Sequence, residues 1–243
     1  MINLGISGVC GRMGSRILNL AKADKEFNVV LGLEKDNHPR IGEVVDGIEV
    51  TNYTEKISSC DCLIEFSSPQ ATLAHINTAL KYKKCVVIGT TGFNEEDISV
   101  IRESSSKIPI LISPNMSVGV NVLFKLVKEA GKILKNYKIY MEEAHHIHKK
   151  DAPSGTAKKL ADILNKEGFG IKYENIVSIR EDEIVGDHSV VFKSDVDQIE
   201  LSHSAKTRDI FAQGALTAAK WIINKSKGLY SMDDVLFGGS SGD

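Results

Sequence analysis

In the first half of the chain, short and almost uninterrupted apolar runs alternate with longer segments of helical spacing. Few folds can absorb that rhythm. The runs are INLGIS (Ile2–Ser7), NVVLGLE (Asn28–Glu34), CDCLIEFS (Cys60–Ser67), CVVIGTT (Cys85–Thr91) and PILISP (Pro109–Pro114). A strand that is apolar along its whole length has no face to show to water, so it must be covered on both sides. Between the runs, RMGSRILNLAKA (Arg12–Ala23), PQATLAHINTALKYK and NEEDISVIRESSSK read as helices. Pro69 suits a first helical position, and Asn94 suits an N-cap followed by acids. The pattern predicts an α/β fold built on a doubly wound parallel sheet.

After Pro114 the rhythm changes. VGVNVLFKLVKEAGKIL (Val118–Leu134) reads as a long amphipathic helix. NIVSIRE (Asn175–Glu181), HSVVFKS (His188–Ser194) and DQIELSHSA (Asp197–Ala205) read as strands, the last two antiparallel because no helix separates them. DIFAQGALTAAKWII (Asp209–Ile223) is a further helix. The expected organisation is a dinucleotide-binding domain over residues 1–116 and 213–243, and a second mixed α/β domain with a largely antiparallel sheet over 117–212. Val190, Phe192 and Ile199 are expected on an outward face of that second sheet, where copies of the chain could pair. The closing GGSSGD holds no core residues and reads as a disordered tail.

A formal charge of −2 over 243 residues argues against a dedicated nucleic-acid or membrane binder and leaves a small anion as a substrate class. Cys10, Cys60, Cys62 and Cys85 lack metal-site spacing and read as reduced thiols. MINLGISG enters a strand directly, and no apolar run approaches the ~18 residues of a membrane span. These features predict a cytoplasmic protein.

GVCGRMG places Gly8, Gly11 and Gly14 between the first strand and the first helix. Such glycines allow a tight turn, a close approach of backbone to a pyrophosphate, and close packing of helix on strand. The helix N-terminus then offers N–H groups and a positive dipole end to phosphate. A plain turn without ligand is the competing reading. The second strand tips the balance, because Glu34 sits at its tip where a carboxylate accepts the hydroxyls of an adenosine ribose. Lys35 beside it offers a cation to a 2′-phosphate. The small-residue loops GTTGF (Gly89–Phe93) and SPNMS (Ser113–Ser117) close the fourth and fifth strands, at the strand ends where ligands bind in open parallel sheets.

EEAHHIHKKDAPSGTAKKL (Glu142–Leu160) packs three of the seven histidines into four positions. A metal site formed by His145, His146 and His148 with Glu142 or Glu143 fits neither strand nor helix spacing well, and Lys149 and Lys150 repel a cation. A solvated polar loop is the bland alternative. The third reading uses every residue: a histidine that titrates near neutrality donates a proton, lysines attract carboxylates, and the helix opening at Ser154–Gly155–Thr156 holds an oxyanion.

Together GVCGRMG, EFSSPQAT, VVIGTTGF, NMSVGVNV, EEAHHIHKKDAPSGTA and FAQGALTAAKWI resemble the bacterial dihydrodipicolinate reductases over essentially the whole chain. The resemblance implies a Rossmann-type cofactor domain and a mixed α/β substrate and tetramerisation domain. It implies reduction by NADH or NADPH of the ring imine derived from 4-hydroxy-tetrahydrodipicolinate, on the diaminopimelate route to lysine. By position, it implies His145 as proton donor, Lys149 as second catalytic residue, and His146, Gly155 and Thr156 as substrate contacts. Gly8, Val9, Cys10, Gly11, Arg12, Met13, Glu34, Gly89, Thr90, Thr91, Ser113, Pro114, Asn115 and Met116 match cofactor contacts. The partners implied are a small dicarboxylate and other copies in a homotetramer, with no metal, nucleic acid or membrane. Many members carry Arg after the ribose acid, whereas this chain has Lys35, which bears on nicotinamide preference. The competing enzyme class is another two-domain NAD(P)-dependent dehydrogenase acting on a small carboxylate.

Overall fold

The structure, a computed structural model, describes residues 1–238. The chain divides into two compact units, Met1–Ser117 with the chain from Phe211 onward, and Val118–Ile210. Among the described residues no helix is long and apolar enough to cross a membrane.

The first unit carries an eight-stranded sheet. Its strands are β1 (Ile2–Ser7), β2 (Phe27–Leu33), β3 (Val44–Val45), β4 (Ile48–Thr51), β5 (Cys62–Glu65), β6 (Cys85–Ile88), β7 (Pro109–Ile112) and β12 (Gly228–Tyr230), ordered β12-β7-β6-β5-β1-β2-β4-β3. All pairs are parallel except β3 with β4. The uniformly apolar runs became the central strands, and their residues alternate between two cores. Leu4, Ile6, Cys62, Ile64, Val87 and Leu111 pack on the side of helices α1 (Arg12–Ala23) and α6 (Asp209–Ile222). Leu31, Leu33, Leu63, Val86, Ile88 and Ile110 pack on the side of α2 (Pro69–Tyr82) and α3 (Glu95–Ser105). Ser68 caps α2 ahead of Pro69, and Asn94 forms a capping box with Asp97 on α3. Near the end of the described chain, β12 adds a parallel strand beside β7, followed by α7 (Met232–Phe237). The disorder expected of GGSSGD lies, past Gly238, outside the described residues.

Two features were not anticipated from the pattern. The β3–β4 hairpin turns on Asp46 and Gly47, both at positive φ (47° and 83°), the backbone of a type I′ turn. Thiols also line the sheet: burial pushes the buried Cys60 up to about 12 and the half-buried Cys85 up to about 11, so neither is a ready nucleophile.

The strand ends of this unit are tied by one buried acid. Glu65 at the end of β5 is fully buried. Its Oε1 lies 2.7 Å from His75 Nδ1, and its Oε2 accepts from Ser67 Oγ at 2.9 Å and Thr72 Oγ1 at 3.3 Å. Thr90 Oγ1 accepts from the Ser67 amide at 3.1 Å, which joins the β5 and β6 loops.

The second unit carries a four-stranded sheet of β8 (Lys138–His145), β9 (Val177–Arg180), β10 (Asp187–Lys193) and β11 (Gln198–Ser204), ordered β11-β10-β8-β9. β10 pairs antiparallel with β8 and β11, and β9 runs parallel to β8. One face packs on α4 (Val118–Ile133) and α5 (Gly155–Lys166) through Leu123, Phe124, Val127, Leu160, Leu164, Met141, Val190 and Phe192. This corrects the expected outward placement of Val190 and Phe192: both are fully buried beneath the helices, and Ile199 lies opposite Phe192 on the same face. The other face exposes Tyr140 and Val177, 55% accessible each. Along β8 the inner face passes from Ile139 and Met141 to Glu143 and His145, so an apolar core gives way to a polar cluster within one strand.

Burial lowers the His75 pKa, but the Glu65 carboxylate outweighs burial and leaves it raised. A raised folded pKa means that the pair stabilises fully below the ordinary histidine range, and that its contribution is lost as pH rises through the folded value. His75→Leu should cost roughly 3–5 kcal/mol at pH 6, because a buried carboxylate loses its cation. Urea unfolding should show that deficit shrinking as the pH is raised; a deficit independent of pH would mean that the pair is not charged.

Candidate active site

In the first unit, the glycine turn is shaped by backbone contact. Gly8 has φ 71°, and a Cβ on it would lie 2.5 Å from Phe66 O. A Cβ on Gly14 would lie 2.0 Å from Gly8 O, so only glycine lets α1 pack this closely on the turn. Gly11 is the N-cap of α1 and supplies no side-chain cap. The sequence therefore leaves this helix end to other acceptors, which suits a phosphate. Glu34, just past β2, accepts from the Cys10 amide at 2.9 Å, which fixes its carboxylate beside the turn. Lys35 is exposed next to it.

The loops after β6 and β7 emerge at the same sheet edge as the turn after β1, since these strands and β5 run parallel. A Cβ on Gly89 would enter the Phe66 ring at 2.2 Å. Ser113 Oγ donates to Asn115 O at 2.8 Å, and Asn115 Oδ1 accepts from the Ser117 amide at 2.9 Å. Gly214 of α6 lets that loop approach, because a Cβ there would lie 1.7 Å from Met116 O. The turn of Gly8–Met13, Glu34, the loop Gly89–Thr91 and the loop Ser113–Met116 are thus positions at one edge of one sheet. The uncapped helix end and the anchored carboxylate fit a dinucleotide. Among the described residues, the place where three metal-ligand side chains come within 4.8 Å is Cys10, Glu34 and His38, not the His-rich segment.

In the second unit, β8 delivers Glu143 and His145 to one face, two positions apart. His145 Nδ1 is hydrogen bonded to Glu143 Oε2. Glu143 Oε1 accepts from Arg180 Nη2 at 2.7 Å and from the Ser154 amide at 3.3 Å. Burial raises the Glu143 carboxyl, but Arg180 and His145 outweigh it and hold it below its usual range. Burial pushes His145 down, and Glu143 pulls it back only in part. His188 on β10 stands edge-on to His145, with ring centroids 5.2 Å apart, and burial pushes its pKa down to about 4, so it is a neutral neighbour.

The loop between β8 and α5 is bracketed by the same residues. Arg180 Nη2 also donates to Asp151 O at 2.6 Å, and Lys149 Nζ pairs with the Asp151 carboxylate at 2.8 Å. Lys149, its side chain 21% exposed, places a cation whose charge is felt at His145. Ser154 caps α5 by accepting from the Ala157 amide at 3.2 Å, and its Oγ lies 3.2 Å from His188 Nε2. Gly155 opens the helix with nothing within 4 Å of where a Cβ would stand, so there is open space beside this residue. His146 Nε2 accepts from Arg208 Nη2 at 3.3 Å. The structure thus gathers His145, Lys149 and the Gly155–Thr156 turn, and links His146 to a cation from beyond β11. Sequence reasoning missed Arg180, His188 and Arg208, and weighed Glu143 only as a metal ligand. Period-two spacing to His145 was the available signal for Glu143.

A doubly wound nucleotide unit joined in one chain to a unit holding a buried carboxylate–imidazole pair defines a two-unit dinucleotide-dependent oxidoreductase. Comparison with known proteins narrows the class. The model for "Dihydrodipicolinate reductase, N-terminus" matches residues 2–116 and that for its C-terminus matches 119–236. The chain belongs to the dihydrodipicolinate reductase family. It is 43% identical to the 4-hydroxy-tetrahydrodipicolinate reductase of Aquifex aeolicus, covering 97% of this chain and 98% of that one. It is 38% identical to the same enzyme of Methanosarcina barkeri, covering 97% and 99%. A solved structure of dipicolinate-bound dihydrodipicolinate reductase from Paenisporosarcina sp. TG-14 shares the fold with TM-score 0.83 at 22% identity, covering 95% of this chain and 97% of that one.

Proposed function

We propose that the chain reduces the ring imine formed from 4-hydroxy-tetrahydrodipicolinate by loss of water. The product is tetrahydrodipicolinate, on the diaminopimelate route to lysine. The observation that carries this reading is the buried Glu143–His145 pair set beside Lys149 and the N-terminus of α5. A small dicarboxylate needs a cation and a helix N-terminus for its carboxylates and an acid for its ring, and this cluster supplies both.

Residues 1–116 and 213–243 are read as the cofactor domain, and 117–212 as the substrate and oligomerisation domain. In the first, the turn Gly8, Val9, Cys10, Gly11, Arg12 and Met13 would hold the pyrophosphate of NADH or NADPH. Glu34 would take the ribose hydroxyls, with the loops Gly89–Thr91 and Ser113–Met116 nearby. When bound, the nicotinamide supplies the hydride. In the second, Lys149 and the Gly155–Thr156 turn hold a ring carboxylate, His146 contacts the substrate, and His145 delivers the proton. The four thiols are free, which suits a reducing compartment, and the reading places the protein in the cytoplasm.

The test is a coupled assay. Pyruvate and aspartate semialdehyde pass through the preceding synthase, and nicotinamide absorbance should fall when this protein is added. No fall, with turnover of a different small carboxylate, would assign the chain to another dehydrogenase class.

Lys35 sets the cofactor balance. A carboxylate repels the 2′-phosphate, and a compact ammonium offsets that less well than the planar fork of arginine. Arg40, another cation in this segment, is paired with Glu43 at 2.8 Å. NADH should serve at least as well as NADPH. Lys35→Ala should cost NADPH about 1–2 kcal/mol in kcat/KM and leave NADH almost unchanged. Equal losses would show that Lys35 does not read the phosphate.

The assembly is read as a homotetramer built on the outer face of the second sheet. Tyr140 and Val177 are exposed there, and Val191 stands beside Tyr140 in register. Light scattering at micromolar concentration should give four chain masses, and Tyr140→Glu with Val177→Glu should lower that mass. A clean monomer in the unmodified protein would overturn the assignment.

A further inference from the structure

His145 has two ring nitrogens, and the structure treats them differently. Nδ1 is bonded to Glu143, whose side chain is fully buried. That carboxylate receives Arg180 from β9 and the amide of Ser154 ahead of α5. With cationic and amide donors on Oε1, the other oxygen acts as an acceptor, so Nδ1 carries the proton. Nε2 faces a different neighbour. A methyl on Gly186 would lie 3.0 Å from Nε2 and 3.4 Å from the adjacent ring carbon, and the glycine leaves that space clear.

We propose that Glu143 is a positioning residue that keeps His145 protonated at Nδ1 and assigns proton delivery to Nε2, with Gly186 keeping the approach to Nε2 open. This rests on the reductase reading. The donor is the imidazolium. Its Nε2–H bond breaks and the electron pair stays on the ring. The proton passes to the substrate atom that holds the electron pair left by hydride addition. Neutral imidazole remains, its Nδ1–H still held by Glu143, and a proton taken up from solution restores the Nε2–H.

The charges around His145 make the role measurable. Glu143 on its own strand favours the imidazolium, while Arg180 from β9 and Lys149 from the following loop oppose it. His188 from β10 is neutral, and α5 offers the uncharged Ser154. Without Glu143 the remaining influences all disfavour the protonated ring. A dianionic substrate adds the opposite influence in the complex.

The experiment compares wild type, Glu143→Gln, His145→Gln, their double mutant and Gly186→Ala in the coupled assay. Glu143→Gln should lower kcat about 10- to 100-fold with the KM for NADH unchanged. The basic limb of its kcat/KM profile should move down by roughly one pH unit or more. In the His145→Gln background the same change should add no more than about twofold, because Glu143 acts only through the ring. Multiplicative losses or an unmoved limb would overturn the proposal and leave Glu143 as a brace for Arg180 and α5. Gly186→Ala crowds the Nε2 edge of the His145 ring and leaves Glu143, Arg180 and Ser154 unchanged, so it carries the test if Glu143→Gln does not fold. It should fold normally and lose kcat about tenfold or more, and a wild-type kcat there would overturn the assignment of Nε2. An inactive wild type would sink both the reductase reading and this inference; an active one with an unmoved Glu143→Gln profile would sink the inference alone.

Discussion

The second unit is organised around one negative charge that has no access to water. Burying a carboxylate costs several kcal/mol unless cations and donors meet it from all sides. Glu143 is met by Arg180 from β9, by the amide of Ser154 ahead of α5, and by His145 two positions along its own strand. Those donors are the frame of the candidate site. Arg180 reaches on to Asp151, and Asp151 holds Lys149. Ser154 caps α5 and thereby sets where Gly155 and Thr156 stand. One buried acid therefore lies at the centre of the hydrogen bonds that run through the candidate site.

The nucleotide unit uses the same device at the strand ends. Glu65 is buried at the tip of β5 and gathers His75, Ser67 and Thr72, and through Ser67 and Thr90 it joins neighbouring loops. Backbone crowding does the rest. Gly14 against Gly8, Gly89 against Phe66 and Gly214 against Met116 are contacts that no side chain could share. Rigid loops at the carboxyl ends of parallel strands suit a ligand that must be held in one orientation.

The central parallel sheet was legible because its strands are apolar on both faces, a pattern with one structural answer. The β3–β4 hairpin was announced by the Asp-Gly pair in VVDGIEV but hidden by its length, with only Val44–Val45 in its first strand. β8 was illegible for a functional reason. Its inward positions change from Ile139 and Met141 to Glu143 and His145, so the apolar alternation fails where the site begins. His145, Lys149 and Gly155 stood out because titratable residues crowd next to a helix start. Arg180 looked like an ordinary strand residue in NIVSIRE, and its role depends on pairing β9 beside β8 with Arg180 opposite His145. The outward placement expected of Val190 and Phe192 failed because alternation gives two faces without saying which one the helices cover.

The claim on which the account turns is that the Glu143 carboxylate holds the proton on His145 Nδ1. Long-range nitrogen–proton correlation spectra of histidine-labelled wild-type protein read this directly, with His145→Gln used to assign the signal. The account predicts a protonated Nδ1 at every pH where the protein is folded, with Nε2 as the nitrogen that titrates. A neutral ring protonated at Nε2, with Nδ1 bare, would contradict it.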